Sequence, residues 1–595
     1  MSAKRVIQPA SFIRRFIASW LVAVTAEYML LPIELRSLQD TDFLTGMSFV
    51  RLMIILFAVF IVLCICDGST QERFLIVGVF AVYSIICLIH TFSLPFLIAV
   101  CLLLIILAYY GVKGWNCTSL STPNEYGTTK HTKWIIAVAA ISFILFVSAW
   151  TVCRVLSFST PTYDFGIFSQ MFYNMKETCQ PLTTLERDGL LSHFQVHVSP
   201  IYYLLLPAYW LFPHPVTLQI LQAIVLGSAV IPLYLIVKAK GLHPIIGTML
   251  SVLLLVYPSY SGGTSYDIHE NAFLAPLLFW LFYGFEKKNH LLTAIFALLL
   301  LMVKEDAAVY VAIVALFFLI QGLLHHDSAR ITPALIVIMG AIVWFLVVTG
   351  YLSSKGDGVM TYRYRNFMID ADGSLMSVIK AVLLCPMKAI YECVDKEKIS
   401  FIAYTFLPLI LILALTRRYE RFILLIPYVL VNLMSDYQYQ HDIFFQYTFG
   451  STACLFYFVI INLADIKDKW KQILLLIIST SICISMFAAT VFPKGTGYIQ
   501  RYLRNYDHYG KIEQVLSTIP DNASVSASTF YTTYLSQRPV VYDVKYATSD
   551  HILATEYIVL SMKDSNFGEL EAMLQDHGYQ LFSQMDNIIQ IFHKP

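Results

Sequence analysis

Lys133-Trp-Ile-Ile-Ala-Val-Ala-Ala-Ile-Ser-Phe-Ile-Leu-Phe-Val-Ser-Ala-Trp-Thr-Val-Cys-Arg154 is the stretch on which the fold turns. Between its terminal cations it carries no charge. A helix needs roughly 20 mostly apolar residues to cross ~30 Å of hydrocarbon, and this run supplies them. Runs of the same kind recur at residues 52–66, 94–110 and 473–492. Lipid offers no partner to an open backbone group, so helices are the natural spanning element. The strict alternation of an outer-membrane barrel is absent. Composition agrees: 58% of residues are hydrophobic and 13% charged, with a mean hydropathy of +0.67. A soluble domain is closer to about half apolar and about a quarter charged. The expected class is a polytopic α-helical membrane protein with the lipid bilayer as its solvent.

The net charge of +1 is uninformative about partners, but no basic cluster resembles a nucleic-acid footprint, which excludes that class. Most cysteines lie inside apolar runs, where they act as small hydrophobes, and no spacing predicts a disulfide. No small-residue cleavage site follows the first apolar run, so it reads as an uncleaved span.

Lys and Arg set the orientation. Lys4, Arg5, Arg14 and Arg15 put the N-terminus in the cytoplasm. The inner loops then carry Lys113, Lys130 and Lys133; Lys238 and Lys240; Lys287 and Lys288; residues 325–330; Arg417, Arg418 and Arg421; and Lys467, Lys469 and Lys471. About fifteen spans result, in a multi-pass plasma-membrane protein. Residues 1–133 form extra N-terminal spans, 134–493 a transmembrane core, and 494–595 a tail. The outer loops of the core are 154–199, 257–271 and 352–400, with a short polar turn at Lys304-Glu305-Asp306. Residues 201–212, between two prolines, are too short to span and predict an interfacial or re-entrant helix. In the tail, Lys494-Gly-Thr-Gly497 reads as a linker. Short strands are expected at 522–527, 540–544, 557–561 and 588–592, with a helix at 567–577. That alternation predicts a small extracytoplasmic α/β domain.

The chemistry-bearing residues collect on this outer side. Phe165, Phe168, Phe172 and Met175 recur at helical spacing, predicting an amphipathic helix along the membrane surface. Asp164 precedes it, either as an N-cap or as a carboxylate able to take a proton. A helix N-terminus would lower its pKa and keep it ionised. Glu186, Arg187 and Asp188 follow, then His193 and His197, which are solvated loop histidines or a pair sharing a metal. No carboxylate has the spacing of a zinc motif, so a divalent metal is not indicated and no cofactor is called for. Asp267, His269 and Glu270 sit behind a Gly-Gly pair between two spans. Lys304, Glu305 and Asp306 interrupt an apolar stretch, and ionisable residues there are functional or paired. Arg363 and Arg365 lie among tyrosines and suit a phosphate, whose oxygens a guanidinium can fork. A further outer turn, Asp436 to Asp442, is rich in hydrogen-bonding groups.

Several of these residues fall within motifs: Asp164-Phe-Gly-Ile-Phe-Ser-Gln170, His193-Phe194, Ser199-Pro-Ile-Tyr-Tyr-Leu-Leu-Leu-Pro207, Leu218-Gln-Ile-Leu-Gln222, Asp267-Ile-His-Glu270 and Lys304-Glu-Asp306. Together with Ile519–Ser528 and Leu535-Ser-Gln-Arg538, their order resembles an uncharacterised family of predicted prokaryotic membrane proteins related to the GT-C glycosyltransferases. The resemblance runs from about Trp134 to the end. It implies a GT-C-like core and a polyprenyl-phosphate-linked sugar as donor. It also implies transfer on the outer face to an extracytoplasmic glycan, lipid or protein acceptor. By the same resemblance Asp164 is the catalytic residue, as general base or as the carboxylate that orients the acceptor. His269 and Glu270 would line the cavity beside Asp267, His193, His197 and Glu305, and Lys304 or Arg363, with Arg365, would neutralise the leaving phosphate. The rival expectation is a transporter or flippase for a lipid-linked or polar solute, which needs polar openings on both faces.

Overall fold

The computed structural model describes residues 9–66, most of 69–107, and 130–595 apart from 188, 357, 359 and 369–372. Lys113, Asp188 and much of the expected span at 94–110 lie outside the described residues.

Among the described residues, seven helices are long and apolar enough to cross a membrane. They are Phe49–Cys66, Thr132–Leu156, Pro215–Ala239, Ala307–His325, Ser328–Lys355, Gln446–Ala464 and Lys469–Arg504. An eighth is counted if Pro244–Leu255 and Pro258–Ser265, bent by 51°, form one broken span. The break follows from Pro258, which lacks an N–H and forces Tyr257 into an extended conformation. About fifteen spans were expected, and this criterion does not reach them. Several apolar runs fold instead as shorter helices, such as Leu274–Glu286 and His290–Leu301. The stretch expected to be re-entrant forms two short turns of helix, Pro200–Leu204 and Leu206–Leu211, ahead of the span that starts at Pro215.

The main core surrounds Gln446–Ala464, which is buried along almost its whole length. The expected linker is no linker. Lys494 to Gly497 lies inside the helix Val491–Arg504. Gly495 is there for close approach: a Cβ would sit 2.8 Å from ring atoms of both Phe146 and Trp150. The N-terminal helices Pro9–Leu30, Phe49–Cys66 and Ser69–His90 build a second core with Leu375–Leu384 and Pro386–Glu392. Trp20 Nε1 donates to Leu383 O at 3.1 Å, and Lys388 Nζ to Leu38 O at 2.8 Å. The extra N-terminal segment thus props the 352–400 loop.

In the tail, the helix Tyr506–Leu516 leads into a five-stranded sheet. A two-stranded ribbon earlier in the chain supplies β1 (Leu182–Thr183) and β2 (Leu191–Ser192). The sheet contains β3 (Val525–Ala527), β4 (Val541–Asp543), β5 (Tyr557–Ser561), β6 (Gln580–Met585) and β7 (Ile589–His593), in the order β4-β3-β5-β7-β6. The β3 pairs with β4 and β5 are parallel, and the β7 pairs with β5 and β6 are antiparallel. Side chains alternate across it: Val525, Val559 and Ile591 pack on Ile512 and Leu516, whereas Ile558, Leu560 and Phe592 meet Leu574. The sequence shows no sign of β6, because it is an exposed edge strand carrying Gln580, Ser583 and Gln584.

Candidate functional site

The carboxylate singled out in the sequence does not cap a helix. The helix forms as Ile167–Thr178, with Gly166 at its N-cap position and no side-chain cap. Instead of lying on a surface it is buried on nearly every face, Phe168, Gln170, Met171 and Phe172 included. Asp164 lies in the preceding turn, partly buried, and accepts a hydrogen bond from the Tyr266 hydroxyl. Burial pushes its carboxyl above the ordinary range, and the Glu270 charge adds to this. The Tyr266 bond, Lys304 and His197 offset only part of the rise. The downward shift expected from a helix N-terminus is therefore reversed, and the group is a stronger base than an exposed aspartate.

Three histidines face the same cavity, each held by a glutamate. His193 Nδ1 lies 2.8 Å from Glu186 Oε2, and His197 Nδ1 lies 2.8 Å from Glu305 Oε1. His269 Nδ1 is 3.2 Å from Glu270 Oε2. Phe168 fixes two of the rings edge-on, His193 at 5.4 Å and His269 at 5.6 Å. His193 and His197 thus each have a glutamate of their own. Among the described residues no group of three or more His, Cys, Asp or Glu is arranged to hold a metal ion. Burial pushes His269 down to about 3, so it is a neutral imidazole.

Glu270 is fully buried and lies behind the cavity wall rather than lining it. Its Oε1 meets Lys304 Nζ at 2.9 Å, and its Oε2 accepts from the Tyr202 hydroxyl at 2.7 Å. Burial opposes its ionisation, but the cationic charge beside it, that of Lys304 at 2.9 Å, outweighs that and holds it well below the usual carboxylate range. Glu305 likewise sits behind His197; burial works against its charge, yet His197 and Lys304 bring it down to about 2. Lys304 reaches the cavity with its charge already balanced by Glu270.

The cavity measures about 1080 Å³. Among its described lining residues are five cations, Arg187, Lys304, Lys355, Arg363 and Arg365, against two carboxylates, Asp164 and Glu186. Arg363 is clasped by tyrosine rings, 4.8 Å from Tyr437, 5.2 Å from Tyr447 and 5.9 Å from Tyr362. Tyr163, Tyr266 and Tyr439 complete an aromatic lining. A surplus of cations favours an anion, tyrosine faces suit the apolar face of a sugar ring, and the volume admits both.

Asp267 does not belong to this cavity. Its Oδ2 meets Arg154 Nη2 at 3.1 Å and its Oδ1 accepts from Gln219 Nε2 at 2.6 Å, all three side chains being buried. The 3₁₀ turn at Glu270–Phe273 faces Glu270 toward Lys304, while Asp267 faces Arg154. Asp267→Ala leaves a buried guanidinium unpaired and is expected to cost about 3–5 kcal/mol. Thermal unfolding in lipid nanodiscs should show a clear drop with affinity for polyprenyl phosphate unchanged. The reverse pattern would return Asp267 to the site.

The sheet domain docks directly on the Asp164 turn. Thr162 Oγ1 bonds Thr532 Oγ1 at 2.7 Å and donates to the buried Asp543, at the carboxyl end of β4. Ser536 Oγ donates to Ser169 Oγ at 2.7 Å, and Gln170 Nε2 to Pro539 O at 3.1 Å. Tyr163 stands edge-on to Tyr546 at 4.5 Å. Asp543, Thr532 and Lys355 escaped the sequence reading. Only Lys355, which falls in the third outer loop, had any signal there.

No curated protein matches the chain. The family model described as "Predicted membrane protein (DUF2079)" matches residues 154–589. That range contains Asp164, the three cavity histidines, the cavity cations and the sheet domain up to the start of β7, so the chain belongs to this family of predicted membrane proteins.

Proposed function

We propose that this protein is a GT-C-like glycosyltransferase, moving a sugar from a polyprenyl-phosphate donor to an extracytoplasmic glycan, lipid or protein acceptor during cell-envelope assembly. The observation that carries the reading is Asp164, a strengthened base on the wall of a cavity rich in cations and tyrosines. In the reaction, an acceptor hydroxyl gives its proton to Asp164 and attacks the anomeric carbon. The bond from that carbon to the phosphate oxygen breaks, with inversion. Arg363, Arg365 and Lys355 stabilise the charge growing on the phosphate. Lys304 acts less directly, because Glu270 already balances it.

The cavity end of the bundle is the outer one in this reading, and the tail is an extracytoplasmic domain. Lys240 and Arg330 pair with Glu286, and Arg421 with Asp465, at helix ends remote from the cavity. Cations concentrated there agree with the cytoplasmic side of a plasma-membrane protein. About fifteen crossings remain the proposed topology, of which the long helices supply seven, or eight with the broken span, among the described residues.

Transfer by the full-length protein in nanodiscs, followed across pH with polyprenyl-phosphate hexoses, tests the proposal. Asp164 must be ionised, and its pKa is raised. The acid limb of kcat/KM is therefore expected above the ordinary aspartate value of about 3.9. Tyr266→Phe removes a hydrogen bond that favours the ionised form, so the limb should move further up. An acid limb unmoved by Tyr266→Phe would remove Asp164 from the role of base.

A further inference from the structure

His193 is a buried titratable group for which the reaction as written has no use. It is 1% exposed, yet it lines the cavity. Glu186 holds Nδ1 at 2.8 Å, and Nε2 is buried with no partner in the protein. With Nδ1–H committed to a carboxylate, the remaining nitrogen can serve only whatever occupies the cavity. The helix end that carries Lys355 lies against the same turn: a Cβ on Gly356 would sit 2.8 Å from Gln195 O. Lys355 and His193 thus come from adjoining backbone and line one wall.

We propose that His193 is the acid that protonates the leaving phosphate oxygen, with Glu186 positioning its ring. This rests on the glycosyl-transfer reading. The acceptor proton passes to Asp164 and the acceptor oxygen bonds to the anomeric carbon. The carbon–oxygen bond to phosphate breaks with its electron pair on oxygen, which takes the Nε2 proton. Polyprenyl phosphate leaves with that proton, Asp164 ends protonated and His193 neutral, and water resets both.

The groups around His193 are Glu186, Glu270, Lys304, His197 and Tyr202. Burial and Lys304 disfavour the imidazolium, but the two glutamates outweigh them and the net shift is upward. His193 therefore keeps its proton to higher pH than an exposed histidine does and loses it on the basic side.

The experiment uses full-length protein in nanodiscs of phosphatidylethanolamine and phosphatidylglycerol. With undecaprenyl-phosphate hexoses, His193→Gln is expected to lower kcat about 100-fold and to abolish the basic limb of its pH profile. KM should stay within about threefold. Glu186→Gln, which leaves the imidazole in place, should move that limb to lower pH. A basic limb unchanged in both variants would overturn the proposal. If wild-type protein transfers no hexose at all, the glycosyl-transfer reading fails, and His193 is decided by binding alone. Undecaprenyl phosphate should then bind wild type increasingly more tightly than His193→Gln as pH falls, the ligand's own ionisation being common to both. Inorganic phosphate tells whether the headgroup suffices. Identical pH dependence in the two proteins would overturn the assignment.

Discussion

Asparagine in place of Asp164 is expected to slow transfer by roughly 1,000-fold, within the range a positioned general base contributes. The substitution is close to isosteric, and the new amide oxygen can still accept from the Tyr266 hydroxyl that now bonds the carboxylate. The turn itself is held from elsewhere, by Thr162 on Thr532 and Asp543 of the sheet domain. What is lost is the capacity to take a proton. The effect should therefore fall on kcat, with donor affinity little changed, because the cations lining the cavity are untouched. Turnover within a few-fold of wild type, by protein that still binds polyprenyl phosphate, would show that another group accepts the proton.

The second large effect is on stability. Glu270 serves three buried partners at once: Lys304 at 2.9 Å, the Tyr202 hydroxyl at 2.7 Å and His269 at 3.2 Å. Glu270→Leu strands the Lys304 ammonium in a buried site, and Lys304→Met strands the carboxylate. Each alone is expected to cost about 3–5 kcal/mol. The double variant removes both charges and should be more stable than either single one, the pair being strongly coupled. Thermal unfolding of the four proteins measures this directly. Single variants as stable as wild type would mean that the pair is hydrated and the cavity floor open to water.

Much of the site was legible because charge is costly near a membrane. Lys304, Glu305, His269 and Glu270 stand out in apolar surroundings, and all four meet at one cavity or just behind it. The short strands expected at 557–561 and 588–592 likewise form, as β5 and β7. Placement within a motif was harder. Asp267 and Glu270 carry the same chemistry three positions apart, and a partner 113 positions from Asp267 decides which one faces away. The docking of the tail could not be foreseen either, since Thr162 and Asp543 are separated by 381 positions and both have ordinary local surroundings. Gly495 misled because a glycine needed for helix packing against Phe146 and Trp150 has the composition of a linker. Asp164 was found, but its pKa was misjudged: the expected helix terminus begins after it, and burial against Tyr266 and Glu270 governs instead.

The most direct measurement is a cryo-EM structure of the full-length protein in nanodiscs with a bound polyprenyl-phosphate hexose. The phosphate is expected among Lys355, Arg363, Arg365 and the free nitrogen of His193, with the anomeric carbon turned toward Asp164. A phosphate bound outside this cavity, or a path for the lipid headgroup lined from both ends of the bundle, would contradict it.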